Sequence, residues 1–269
     1  MEIVEQKDID IICLQETWLR KCDAAIIEEI KEYNYSVLTE RKPRKIDRGG
    51  GVAILYKSHI KIIKMKYKQY PSFESISVCM DNKKDQYVIT NLYYPGYSMK
   101  HRFTHAAFLS DFEDLVENVI CGNRKRIILG DFNIHTKDNS KPETLNLERI
   151  LNKCSLILHE TPKTHQLGGV IDLVISDENI VNEMSKPVVL SDYDDISDHY
   201  PVSLDIFFNP AGKKNKITVK CQKFSHSSQT RDIVANESQD LRFSDLYSNS
   251  LYIKSIFKFH ISILKTLHS

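Results

Sequence analysis

Between residues 11 and 208 the chain is a succession of short β-type runs closed by Gly, Pro, Asn or Asp, and this punctuation limits the fold more than any other feature. Strands are predicted at 11–14, 51–56, 76–80, 87–93, 126–129, 156–159, 170–175, 187–190 and 201–208. Helices are predicted at 22–32, 103–120 and 143–154, where apolar residues recur three and four apart. Many strands with interspersed helices predict two sheets face to face, with helices packed outside.

A chain of 269 residues, 41% hydrophobic and 27% charged, is an ordinary globular sequence of one large domain or one domain plus an appendage. Its net charge of +1 argues against a uniformly basic surface. Cys13, Cys22, Cys79, Cys121, Cys154 and Cys221 show no spacing of a zinc site or redox pair, and most read as buried free thiols. The opening "MEIVEQKDID" lacks the basic flank and apolar core of a signal peptide, which predicts an intracellular protein, nuclear or cytoplasmic and not secreted. No apolar run reaches the roughly 18 residues needed to span a bilayer.

After residue 208, "NPAGKKNK" breaks the pattern. This predicts a domain over 1–208, a linker over 209–217 and a helical tail over 218–269. In the tail, Tyr252, Ile256, Phe259, Ile263 and Leu267 share one helical face, read as packing on the domain or a neighbour ahead of binding a membrane surface.

Polar residues stand at the ends of several apolar runs: Glu16 in "IICLQETW", Asn91 and Tyr93 in "VITNLYYPG", Asp131 and Asn133 in "IILGDFNIH", Asp172 in "GGVIDLVIS", and Asp198 and His199 in "ISDHYPVSL". Most have a plain structural reading, such as a turn at Asp131 or edge packing at Tyr93. Asp172 resists one. Alternation puts it on the face of Val170 and Val174, where a buried carboxylate needs a partner. His199 is available, and an Asp that accepts from one ring nitrogen leaves the other for proton or phosphate chemistry. Alternation also points Asp131 and Asn133 to one side. Glu16, Asp131 and Asp198, with the Asp172/His199 pair, Asn133 and Tyr93, form an oxygen-rich set that suits Mg²⁺ or Mn²⁺ over Zn²⁺. Such an ion beside an Asp/His pair points to phosphoester hydrolysis.

The ordered series "QETW", "NLYYPG", "GDFNIH", "IDLVIS" and "SDHYPV" resembles the endonuclease/exonuclease/phosphatase superfamily of magnesium-dependent phosphoesterases. With "RGGGVAILY" and "PKTH" it looks most similar to the endonuclease domain of non-LTR (LINE-type) retrotransposons. The resemblance implies a DNase I-like, four-layered α/β sandwich of two mainly antiparallel sheets flanked by helices, with the site at one end of the strands. It implies that Glu16 is a magnesium ligand and Asp198 a carboxylate near the metal and phosphate. Asp172 would orient His199, which would contact the scissile phosphate or take a proton. Asp131 would position or deprotonate the attacking water, or hand a proton to the leaving oxygen, and Asn133 and Tyr93 would hold the phosphate. Thr164 would line the DNA groove, and the basic loop with Arg44, Lys45 and Arg48 would contact DNA phosphates without reading sequence.

Relatives of this kind carry an earlier strand with an active-site Asn, so the first strand is expected to be missing and the chain to be a fragment. In LINE-type reading frames a reverse transcriptase domain follows the endonuclease and its linker. Two functions of different classes result. One is a Mg²⁺-dependent DNA endonuclease that nicks one strand of target DNA and leaves a 3′ hydroxyl. The other is an inactive retrotransposon remnant that at most binds nucleic acid. An abasic-site nuclease or a phosphatase on the same scaffold ranks third.

Overall fold

The computed structural model describes residues 9–19, 27–28, 30–31, 33–42, 49–82, 84–98, 103–119, 123–191, 197–208 and 215–223. Among them, the strands are β1 (Ile11–Gln15), β2 (Tyr35–Glu40), β3 (Val52–Lys57), β4 (Ile62–Lys64), β5 (Glu74–Asp81), β6 (Gln86–Tyr93), β7 (Lys125–Asp131), β8 (Leu156–Leu158), β9 (Asp172–Asp177), β10 (Val188–Val189), β11 (Val202–Phe208) and β12 (Asn215–Lys223). They form two six-stranded sheets, ordered β10-β11-β12-β1-β3-β2 and β4-β5-β6-β7-β9-β8. Pairing is antiparallel except between β1 and β12 and between β6 and β7.

Strands between two apolar layers are apolar on both faces, and the central strands are. Ile11, Ile54, Ile76, Ile89, Leu129, Val174, Leu204 and Val219 belong to one buried cluster shared by the two sheets. Val88, Leu92, Ile128, Leu173 and Ile175 belong to a second, closed by helices α1 (His105–Val119) and α2 (Pro142–Lys153). Helix α1 starts where the Thr104 hydroxyl accepts the Ala107 N–H at 3.1 Å, and buries Phe108, Leu109, Phe112, Leu115 and Val116. Helix α2 opens with Pro142 and buries Leu147, Ile150 and Leu151. Phe132, just after β7, meets Phe108 and Phe112 edge-on at 5.8 and 5.3 Å between ring centres. Of the expected helix at 22–32, the described residues Ile27, Glu28, Ile30 and Lys31 are helical, and Ile30 is buried in the first cluster.

Three strands escape the sequence reading. In β2 the signal is blunted because five of its six residues are only half-buried, and β4 is a three-residue strand with an exposed end. The third, β12, crosses the expected boundary between linker (209–217) and helical tail (218–269), so residues 215–223 are strand, neither linker nor helix. Its core, Ile217-Thr218-Val219, is β-branched, which favours a strand over a helix. It fills the interior position between β1 and β11, so β1 has a strand on each flank. Residues 209–214 and 224–269 lie outside the described residues.

Gly130 fixes the spacing of the two parallel strands that lead to the polar end of the second sheet. Its φ is 147°, and a Cβ there would lie 1.9 Å from the Leu92 carbonyl oxygen. Gly130→Ala is therefore expected to cost about 2–6 kcal/mol, by adding overpacking to backbone strain, each worth ~1–3 kcal/mol. Urea denaturation of the two proteins measures it.

Candidate active site

The second sheet brings three of the sequence-selected residues into one row. Its register sets Tyr93 of β6 beside Asp131 of β7, and Asp131 beside Asp172 of β9. Asp131 and Asp172 are both buried, and like charges directly opposite one another repel. Each carboxylate is held by its own partner. Both oxygens of Asp131 accept from Asn133, one from the backbone N–H at 2.9 Å and the other from Nδ2 at 3.0 Å. Both oxygens of Asp172 face Nδ1 of His199, at 2.8 and 3.1 Å.

The expectation that alternation aligns Asp131 and Asn133 is corrected. β7 ends at Asp131, and Asn133 has a φ of 46°, so the two converge through an Asx-type turn. The second Nδ2 contact of Asn133, 2.7 Å to the Tyr94 carbonyl, ties that turn to the end of β6. The pairing of Asp172 with Val170 is corrected as well. β9 begins only at Asp172, so Val170 lies before it and packs in the helix-side cluster while Val174 packs between the sheets.

Glu16 reaches the row from the first sheet. The Tyr93 hydroxyl donates to Glu16 Oε1, so this tyrosine, expected to hold phosphate, is engaged with the acid in the described structure. Glu16 and Trp18 take φ values of 51° and 55°, and their loop is pinned by Thr17 N–H to Gly51 O at 3.1 Å and Trp18 N–H to Gly50 O at 2.9 Å. Arg41 adds bonds to the Trp18 and Gly49 carbonyls, and the Gly51 N–H donates to Glu74. A Cβ at Gly51, whose φ is 92°, would meet the Thr17 hydroxyl at 2.7 Å. The glycine triplet therefore shapes the Glu16 loop.

Residues 164–166 and 197–200 form the remaining wall. Thr164, expected in a DNA groove, is 0% exposed. Its hydroxyl accepts the backbone N–H groups of Ile171 and Asp172, each at 3.2 Å, so it sets the start of β9 from a buried position. Asp198 lies beside His199 with a side chain 48% exposed, and His165 approaches it at 3.7 Å. Ligand atoms of His165, Asp198 and His199 all lie within 4.8 Å of one another. Arg44, Lys45 and Arg48 lie outside the described residues.

Of the two amides that join the sheets beneath this site, sequence reasoning named Asn91 without giving it a role and passed over Gln15. Gln15 and Asn91 are both fully buried; Gln15 Nε2 donates to Asn91 Oδ1, and Asn91 Nδ2 donates to the Leu14 and Ala53 carbonyls at 2.9 Å each. The available signal was an amide inside each apolar run, "ICLQ" and "VITNLYY". Burial lowers the pKa of both His105 and His159, which favours their neutral form.

Glu16 offers a half-buried and Asp198 an exposed carboxylate, hard oxygen donors of the kind that suit Mg²⁺, while the ligand atoms that lie within 4.8 Å of one another among the described residues are those of His165, Asp198 and His199, without Glu16. Among the described residues no helix is long and apolar enough to cross a membrane.

Comparison with known proteins agrees with this architecture. Residues 1–199 match the Endonuclease/Exonuclease/phosphatase family. The endonuclease domain of TRAS1, a telomere-specific non-LTR retrotransposon, is similar at a TM-score of 0.50 and 12% identity, over 72% of this chain and 96% of that one. A family protein from Leptotrichia buccalis gives 0.57 and 15%, over 76% and 90%. The 3′-5′ exonuclease of Neisseria meningitidis gives 0.55 and 15%, over 75% and 90%. No curated protein sequence matches the chain. With its family match over most of its length and two facing sheets that set Glu16, Tyr93, Asp131, Asp172 and His199 at their ends, the chain belongs to the Endonuclease/Exonuclease/phosphatase family.

Proposed function

We propose that this chain is a Mg²⁺-dependent endonuclease of the non-LTR retrotransposon type that nicks DNA, with a catalytic domain that runs through β12 to residue 223. The observation that carries the reading is the row Tyr93, Asp131, Asp172 with His199 seated on Asp172. It supplies an acceptor for a proton and a histidine oriented by a buried carboxylate, one strand apart.

In the reaction, a water oxygen bonds to phosphorus and the bond from phosphorus to the 3′ oxygen breaks, leaving a 3′ hydroxyl and a 5′ phosphate. Asp131 orients the water and takes its proton, since Asn133 clamps both carboxylate oxygens in place. His199, protonated and steadied by Asp172, donates to the phosphate and hands its proton to the departing 3′ oxygen. Asn133 and Tyr93 stand beside the phosphate. Glu16 and Asp198 would hold the Mg²⁺, which supplies charge to stabilise the phosphate's developing negative charge. The basic stretch with Arg44, Lys45 and Arg48 gives DNA affinity through the phosphate backbone, and in a full-length element a reverse transcriptase domain would use the 3′ end.

Supercoiled plasmid, an abasic oligonucleotide and a 3′-phosphorylated oligonucleotide, each with Mg²⁺ and with EDTA, test the assignment. Expected is Mg²⁺-dependent conversion of plasmid to the nicked circle, abolished by EDTA and by Glu16→Gln. Cleavage confined to the abasic strand, or phosphate release alone, would reassign the substrate. A folded chain inert on all three would support the remnant reading.

A further inference from the structure

His165 has no role in the scheme above, yet its backbone and ring are held against residues 197–200. The segment 164–166 runs antiparallel to 198–200, with a β-bridge between His165 and His199. The Gln166 N–H donates to Asp198 O at 2.8 Å and the Tyr200 N–H to Thr164 O at 2.8 Å, while the Gln166 side chain donates to Ser197 O at 3.1 Å. The His165 ring stands edge-on to the His199 ring, with centres 4.6 Å apart and planes at 84°.

One further contact decides its chemistry. Nδ1 of His165 accepts the Leu167 backbone N–H at 3.1 Å. A neutral imidazole carries one proton, so an accepting Nδ1 places that proton on Nε2. Nε2 is the atom that faces Asp198 Oδ2, at 3.7 Å, a dipolar contact longer than a hydrogen bond, while the Ser197 hydroxyl donates to Asp198 Oδ1 at 3.4 Å. Binding a metal through Nε2 would push the proton onto Nδ1, against the Leu167 N–H. The same contact that fixes the tautomer therefore disfavours His165 as a ligand, although its ligand atom lies in a group with those of Asp198 and His199.

We propose that His165 is a positioning residue that, held as the Nε2–H tautomer, keeps the half-exposed Asp198 carboxylate turned toward His199. This rests on the phosphoesterase reading of the site. The stretch Thr164-His165 then serves two acids from adjacent positions: Thr164 anchors Asp172 through its backbone N–H, and His165 steadies Asp198 through its side chain. Partners of metal-site carboxylates and histidines of this kind typically matter by about 10–100-fold in affinity or activity.

The test uses the full chain and its His165→Ala, His165→Gln and His199→Ala variants. Nicking kinetics with Mg²⁺ are paired with Mn²⁺ binding by calorimetry in the absence of DNA, and melting curves report folding. Expected for His165→Ala is a kcat lower by about 10–100-fold with KM little changed, and Mn²⁺ affinity weakened in parallel. His165→Gln, whose amide nitrogen can replace the Nε2–H donor, restores most of both. The proposal is overturned if His165→Ala matches the wild type while His199→Ala is inactive, a result that leaves the site assignment standing. It is also overturned if Gln and Ala are equally impaired, or if Zn²⁺ binds tightly only when His165 is present, which would make His165 a ligand. Undiminished nicking by His199→Ala would instead remove the reading of the site on which the proposal rests.

Discussion

Asp172→Asn is expected to lower the nicking rate by about 10²–10⁴-fold, the usual worth of general acid–base catalysis, with little change in melting temperature. The carboxylate accepts from Nδ1 of His199 at 2.8 Å, and both side chains are almost wholly buried. An amide of the same shape lacks the negative charge that steadies the protonated ring, and turning its NH₂ to Nδ1 favours the neutral imidazole, which no longer delivers a proton to the leaving oxygen. Packing is preserved, so the loss falls on chemistry. His199→Ala should lose a similar factor, and the double variant little more than either, because the two residues act as one unit. Single-turnover cleavage of a labelled duplex measures all three. Additive losses in the double variant would mean that Asp172 serves something other than His199.

The second large effect concerns stability at the opposite end of the same sheet. Asp177, the last residue of β9, accepts the Arg126 backbone N–H at 2.6 Å and its Nε at 2.7 Å, while the Arg126 guanidinium also donates to the Cys154 carbonyl at 3.0 Å. Both side chains are about nine-tenths buried, so water cannot replace a lost partner. Asp177→Ala strands a guanidinium between β7, β9 and the end of α2, and is expected to destabilise the fold by about 3–5 kcal/mol. Such a loss is a large share of a typical domain's roughly 5–15 kcal/mol. The pair lies most of the length of β7 from Asp131, roughly 15–20 Å at the rise of a strand. Urea denaturation should therefore report a large shift while kcat per folded molecule stays unchanged.

These two ends of one sheet were not equally legible. The site acids announced themselves because a carboxylate closing an apolar run has no cheap place in a core, and the motifs recur in order. Their partners were harder to see. Thr164 was expected to line a DNA groove, yet its hydroxyl is spent on two backbone N–H groups at the start of β9. Asn133 was read by strand alternation, although a residue with φ of 46° has already left the strand. Gln15 and Asn91 meet across 76 positions of sequence, a pairing that local pattern does not encode. The apolar periodicity of Phe108, Phe112 and Val116 made α1 plain, whereas the three exposed-ended residues of β4 carry almost no pattern. Strand β12 was missed because Pro and Gly just before it looked like the end of the domain.

That late strand has a kinetic consequence. β12 lies between β1 and β11, so the first sheet pairs residue 11 with residue 219 and cannot be completed locally. Until it docks, β1 and β11 each present an open row of N–H and C=O groups, the kind of edge that recruits strands from other molecules. Closing so long a loop comes before its contacts can repay it, which makes for slow folding. On the ribosome the second sheet, with α1 and α2 against it, could consolidate first. The sheet that carries Glu16 would then assemble last, after residue 223 has left the exit tunnel.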